Sequence, residues 1–205
     1  MRHLRVGCVL VAMACWATAT SAQERITLSI RDVIERSALL FNSSGDTGVV
    51  LAHQSGSEAA SWSKFAKRMQ AAGVGSIALE SISEEDVQSG IAFLRQLGKQ
   101  RIVLIGASLG GAAVQSAATQ PDEGMVDTVI LLGTAEGDMS DAVGVDKFFV
   151  ISEGDFFAPR THASFQKASE PKELLTFPGT AHAQDMLNET YGEELIQFLL
   201  NRILQ

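Results

Sequence analysis

Cysteine is almost missing from this 205-residue chain: there are two, Cys8 and Cys15, both near the N-terminus. Beyond Cys15 no thiol remains to form a disulfide or ligate a metal, so the fold must rest on its core alone. Proline is scarce at 4 residues, while 20% of residues are charged and 46% hydrophobic, a balance that excludes a disordered or fibrous chain and fits one globular domain. Basic residues are in deficit, 16 against 24 acidic ones, for a formal charge of −8. No run of Lys and Arg stands anywhere. Binding a polyanion relies on such clusters to displace counterions, so nucleic acid and anionic membrane are excluded as main partners. No apolar run reaches the ~20 residues that span a bilayer, and no fixed-period repeat or low-complexity tract is present. Neither a His/Cys/Asp ligand cluster nor a phosphate-cradling loop occurs, so no metal and no organic cofactor is expected.

What stands at the N-terminus is a targeting pattern. Arg2 and Arg5 form a basic start, Val6 to Ala14 an apolar stretch and Ala17 to Ala22 a small-residue exit, the three parts of a secretory signal peptide. Cleavage after Ala22, with Ala19 as the other cut, is expected to leave a single mature domain of residues 23–205. The expected destination is the periplasm or the medium, with no integral membrane segment after cleavage. Without Arg2 and Arg5 the mature chain keeps 14 basic and 24 acidic side chains, a formal charge of −10, which favours solubility and disfavours anionic substrates.

From about Ser37 onward short apolar runs alternate with longer helical stretches, the pattern of an α/β domain on a parallel sheet. Gly48 to Ala52, Ser76 to Leu79, Arg101 to Ile105, Thr128 to Leu132 and Phe148 to Ile151 are continuous apolar runs of the kind buried on both faces. Ile26 to Ile30 and Ala38 to Asn42 read as antiparallel edge structure, and Leu174 to Phe177 as the last strand. Ser83 and Asp86 form a capping box ahead of Val87, Ile91 and Leu94, which recur at helical spacing until Gly98. Trp62, Phe65 and Met69 mark the preceding helix, and Leu195, Phe198, Leu199 and Ile203 give the last helix an apolar face for the sheet.

The segment richest in chemistry is Gly106-Ala107-Ser108-Leu109-Gly110-Gly111, which follows one of these strands and opens a helix. In a G-x-S-x-G elbow the serine occupies a tight, strained strand-to-helix turn, and glycines flank it because side chains there would collide with backbone. Ser108 is then an exposed nucleophile, and the Leu109 amide at the helix start can face a developing oxyanion. A serine needs a base. His182, in a loop after the last strand, fits the order serine, acid, histidine; His162 lies in a polar stretch, and His53 reads as a loop-ordering residue. The acid belongs to the turn Ser152-Glu153-Gly154-Asp155, with Asp155 favoured on reach over Glu153 and Asp185 the most distant choice. The second oxyanion donor is expected from the loop after the first long strand, as a backbone amide of Gln54 or Ser55.

Over about Ser37 to Leu204 these residues resemble the α/β-hydrolase superfamily, and within it the small single-domain members similar to dienelactone hydrolases and acyl esterases. Ala52-His53-Gln54-Ser55-Gly56 matches the oxyanion loop, Gly106 to Gly111 the elbow, Ser152 to Asp155 the acid turn and Gly179-Thr180-Ala181-His182 the histidine loop. The resemblance implies a mainly parallel sheet of about seven or eight strands flanked by helices, with Ser108, Asp155 and His182 as a triad. Gln54 departs from the usual glycine after the loop histidine. The short stretch from Gly133 to Asp146 leaves no room for a cap domain, so an open site is expected. The implied activity is that of an exported serine hydrolase, carboxylesterase-like, cleaving carboxylic ester or thioester bonds of a small-molecule or acylated substrate. An acyltransferase using the same intermediate, or a catalytically silent binding domain of the same fold, are the alternatives. Gln54, Ser81, Leu109, Thr134, Phe156 and Phe157 are the expected pocket residues.

Overall fold

The computed structural model describes residues 23–30, 34–120, 126–135 and 137–205; the signal segment lies outside the described residues. Eight strands form one sheet: β1 (Glu24–Ile30), β2 (Ile34–Phe41), β3 (Thr47–Ala52), β4 (Gly75–Leu79), β5 (Arg101–Ala107), β6 (Thr128–Leu132), β7 (Asp146–Ser152) and β8 (Lys172–Phe177). Their spatial order is β1-β2-β4-β3-β5-β6-β7-β8. β1 pairs antiparallel with β2, and β2 antiparallel with β4; every later pairing is parallel. The expected edge pair is thus the antiparallel flank of a parallel sheet.

Among the described residues five α-helices cover the faces: α1 (Ser63–Ala71), α2 (Glu84–Gln96), α3 (Leu109–Ala118), α4 (Ala158–Lys167) and α5 (Gly192–Leu204). The continuous apolar runs follow from this two-sided cover, since successive strand residues point to opposite faces. Val49, Leu51, Val103 and Ile105 join Trp62, Phe65 and Met69 of the α1 region and Leu195, Leu199 and Ile203 of α5 in one core. Val50, Ile102, Leu104 and Val129 meet Val87, Ile91 and Leu94 of α2 and Val114 of α3 in the other. α2 starts at a reciprocal capping box, with Ser83 accepting from the Asp86 amide and the Asp86 carboxylate accepting from the Ser83 amide. Such a cap satisfies amides that an α-helix leaves unpaired.

Two features place the site. β3 has β4 on one side and β5 on the other, so the chain changes direction of winding there, and a crevice opens above the strand ends. The connection between β6 and β7 carries no helix or strand among its described residues, so no cap covers that crevice.

Candidate active site

The site is built from loops at the carboxyl ends of β3, β5, β7 and β8. Ser108 closes β5 with φ 51° and ψ −115°, a left-handed conformation that a side-chain-bearing residue enters only when its surroundings force it. Here they do. The Ser108 amide donates to the Leu132 carbonyl at 3.0 Å, and the Ser108 carbonyl accepts from the amides of Gly111 and Ala135, each at 3.0 Å. The glycines around it permit the turn. A Cβ on Gly106 would stand 2.6 Å from Gly111 Cα, and one on Gly110 would stand 2.5 Å from the carbonyl oxygens of Ala52 and His53.

The imidazole of His182 reaches this serine: its Nε2 lies 2.9 Å from Ser108 Oγ, and its Nδ1 lies 2.7 Å from Asp155 Oδ2. An ionised carboxylate only accepts, so Nδ1 carries the proton and donates to Asp155, leaving Nε2 as the acceptor for the serine hydroxyl. The other carboxylate oxygen of Asp155 accepts from the Phe157 amide at 2.9 Å. The Asp155 side chain is 2% exposed and that of His182 23%, so the acid is sealed off while the base faces the crevice. Of the competing acids, Glu153 is exposed and only its amide is engaged, donating to the Phe177 carbonyl. Asp185 accepts from the Gln54 side chain at 3.4 Å. Among the histidines, His53 is buried and its ring lies 2.8 Å from the Gln54 carbonyl and 3.4 Å from that of Glu80. His162 is exposed and falls inside α4.

The histidine loop is tied down at several points. Gly154 donates to the Gly179 carbonyl at 2.8 Å, and the Ser152 hydroxyl donates to the Ala181 carbonyl at 2.7 Å while lying 3.0 Å from the Tyr191 hydroxyl. Gln184 then clasps the loop after β3. Its side-chain carbonyl accepts from the Gln54 amide at 2.8 Å, its own amide donates to Gln54 Oε1 at 3.0 Å, and its side-chain NH2 donates to Ser61 Oγ at 2.9 Å.

The clasp bears on the second oxyanion donor. The Gln54 amide is already committed to Gln184, so it has no hydrogen left for an oxyanion, and Ser55 is the remaining amide of the pair. The Leu109 amide begins α3, where backbone amides lack an intrahelical acceptor. The sequence offers no signal for the clasp, because Gln54 and Gln184 are 130 positions apart.

A cleft of about 330 Å³ opens over Ser108 and His182, lined also by Gln54, Ser55, Leu109, Gly133, Thr134, Ala135, Phe157 and Arg160. Ser81 and Phe156, expected in the lining, are not part of it; Phe156 is 87% exposed. Gly133, Ala135 and Arg160 are lining residues that sequence reading missed, and Arg160 is the charged one, since a single arginine in a helix has no spacing to mark it. Among the described residues, no group of three or more His, Cys, Asp or Glu side chains is placed to hold a metal ion. No helix among them is long and apolar enough to cross a membrane.

No family model matches the chain, and no curated protein sequence does. Solved structures do. The dienelactone hydrolase from Anabaena variabilis superposes with a TM-score of 0.75 at 17% identity, covering 88% of this chain and 95% of its own. The esterase domain of a Rhodothermus marinus protein gives 0.67 at 16% identity, over 88% and 98% of the two chains. A monoacylglycerol lipase from Paleococcus ferrophilus gives 0.69 at 14%, over 83% and 98%. The chain therefore has the α/β-hydrolase fold, and its described residues show no separate cap domain.

Proposed function

We propose that this protein is a serine hydrolase that cleaves carboxylic ester or thioester bonds through an acyl-enzyme intermediate. The observation that carries the reading is the continuous hydrogen-bonded chain from Ser108 Oγ through His182 to Asp155, set on a strained elbow at the floor of an open cleft. The solved esterases and hydrolases of the same fold support it.

In the first step Ser108 Oγ bonds to the acyl carbon while its proton passes to His182 Nε2, and the carbonyl π electrons move onto oxygen. The amides of Leu109 and Ser55 donate to that oxyanion. Asp155 holds the imidazole in the required tautomer and stabilises its cation. Collapse of the intermediate breaks the bond to the leaving alcohol or thiol, which takes the proton from Nε2. Water, deprotonated by the same nitrogen, then adds to the acyl-enzyme and releases the acid and Ser108. The net change is one water consumed per ester cleaved.

The signal-like N-terminus supports an exported enzyme, and the lack of cysteine in residues 23–205 is compatible with export. Steady-state turnover of a nitrophenyl ester tests the chemistry: Ser108→Ala and His182→Ala are each expected to lower kcat by at least about 10³-fold. Turnover by Ser108→Ala at the wild-type rate contradicts the proposal.

A further inference from the structure

Arg160 lines the same cleft as Ser108 and His182, and the chemistry above gives it no task. Its guanidinium carbon lies 5.0 Å from the centre of the Phe157 ring, and that ring lies 5.0 Å from the imidazole of His182. Phe157 thus touches both the guanidinium and the base. Every other arginine among the described residues is committed. Arg25, Arg36, Arg68 and Arg202 pair with acids, and Arg95 and Arg101 donate to backbone carbonyls. The Arg160 side chain has no ion pair or hydrogen bond among the described residues, its backbone amide alone donating to the Phe157 carbonyl.

Its position is also an unfavourable one for a cation. Arg160 stands in the first turn of α4, where the helix dipole favours negative charge. Among the described residues no Asp or Glu lines the cleft, so Arg160 is the one formal charge those residues bring to it, in a chain whose net charge is −8. Contact with Phe157 takes up none of the guanidinium N–H groups in a hydrogen bond to a described residue, and their planar fork matches the two oxygens of a carboxylate. The net negative charge of the molecule does not forbid this, because physiological salt screens charges beyond roughly 8 Å while a contact inside the cleft is felt in full.

We propose that Arg160 is a specificity residue that binds a carboxylate on the substrate, so that the preferred substrates are esters carrying a free carboxylate on their acyl or alcohol part. This rests on the hydrolase reading above. The test compares matched ester pairs: the nitrophenyl monoester of adipic acid against that of adipic monoamide, and 4-carboxyphenyl butyrate against 4-carbamoylphenyl butyrate. In at least one pair kcat/KM is expected to favour the carboxylate by about tenfold, as one charge-assisted hydrogen-bonded contact provides. Arg160→Gln is expected to abolish that ratio and Arg160→Lys to restore part of it. Equal rates within both pairs, or a ratio untouched by Arg160→Gln, overturn the assignment, as does a stronger preference for a phosphate-bearing counterpart. The hydrolase reading fails separately, if wild type turns over none of the four esters. Calorimetric binding of the same esters to Ser108→Ala then decides the subsite, a carboxylate preference lost on adding Arg160→Gln supporting it and equal binding overturning it.

Discussion

A serine held at φ 51° is a local cost that two glycines make possible. Gly110 is the more constrained, because its α-carbon faces the carbonyls of Ala52 and His53 at the start of the oxyanion loop. Gly110→Ala is therefore expected to lower unfolding stability by about 1–3 kcal/mol and to reduce kcat together with it, as measured by urea unfolding and ester turnover. The roles of the two acids in the turn after β7 separate by burial. Asp155→Asn leaves the shape intact but disturbs the imidazole tautomer, and is expected to lower kcat by about 10³ to 10⁴ with little change in KM. Glu153→Gln, at an exposed position, is expected to stay within about twofold of wild type. Asp155 could be singled out from sequence because reach past a turn glycine is a local property. Arg160 could not, because its importance comes from partners it lacks.

At the scale of elements, the loops are held by one another more than by their own sequences. The Gln54–Gln184 clasp joins the loop after β3 to the histidine loop after β8, so it fixes the proposed oxyanion donor relative to the base. Gln184 is buried, and Gln184→Ala removes an acceptor from the Gln54 amide and a donor from Ser61. The expected result is a fall in kcat of about ten- to a hundredfold with KM within about threefold, and a matching loss of affinity for a boronic acid that mimics the tetrahedral intermediate. Gln184→Glu keeps the acceptor and is expected to recover part of the rate. Equal losses in KM and kcat contradict a positioning role. The strands and helices themselves were legible, since two-sided burial writes continuous apolar runs and the Ser83 cap is a short-range pattern. Which of the two amides after β3 stays free was not, because it depends on a residue far along the chain.

For the whole molecule, the sheet order carries the site. The reversal at β3 sets the oxyanion loop beside the elbow of β5, and β7 and β8 lie in succession beyond β6, bringing the acid and histidine loops together. Alternation of strand and helix in the sequence implies a parallel sheet, yet strand order comes from long-range pairing and has no local signature. The cleft shows the same division of scales: the net charge of the chain is −8, while the one formal charge that described residues bring to the cleft lining is positive. Export is a claim about the whole chain as well. Expression in a bacterium with an intact secretion pathway is expected to yield a periplasmic or secreted protein whose intact mass begins at Gln23; a cytoplasmic product retaining Met1 contradicts it.

The most direct test of the account is covalent labelling of the folded mature protein with a fluorophosphonate, followed by mass mapping of the adduct. The account predicts a single adduct on Ser108, absent in Ser108→Ala and much slower to form in His182→Ala. A folded wild-type protein that takes up no label, or takes it up equally well without Ser108, would contradict it.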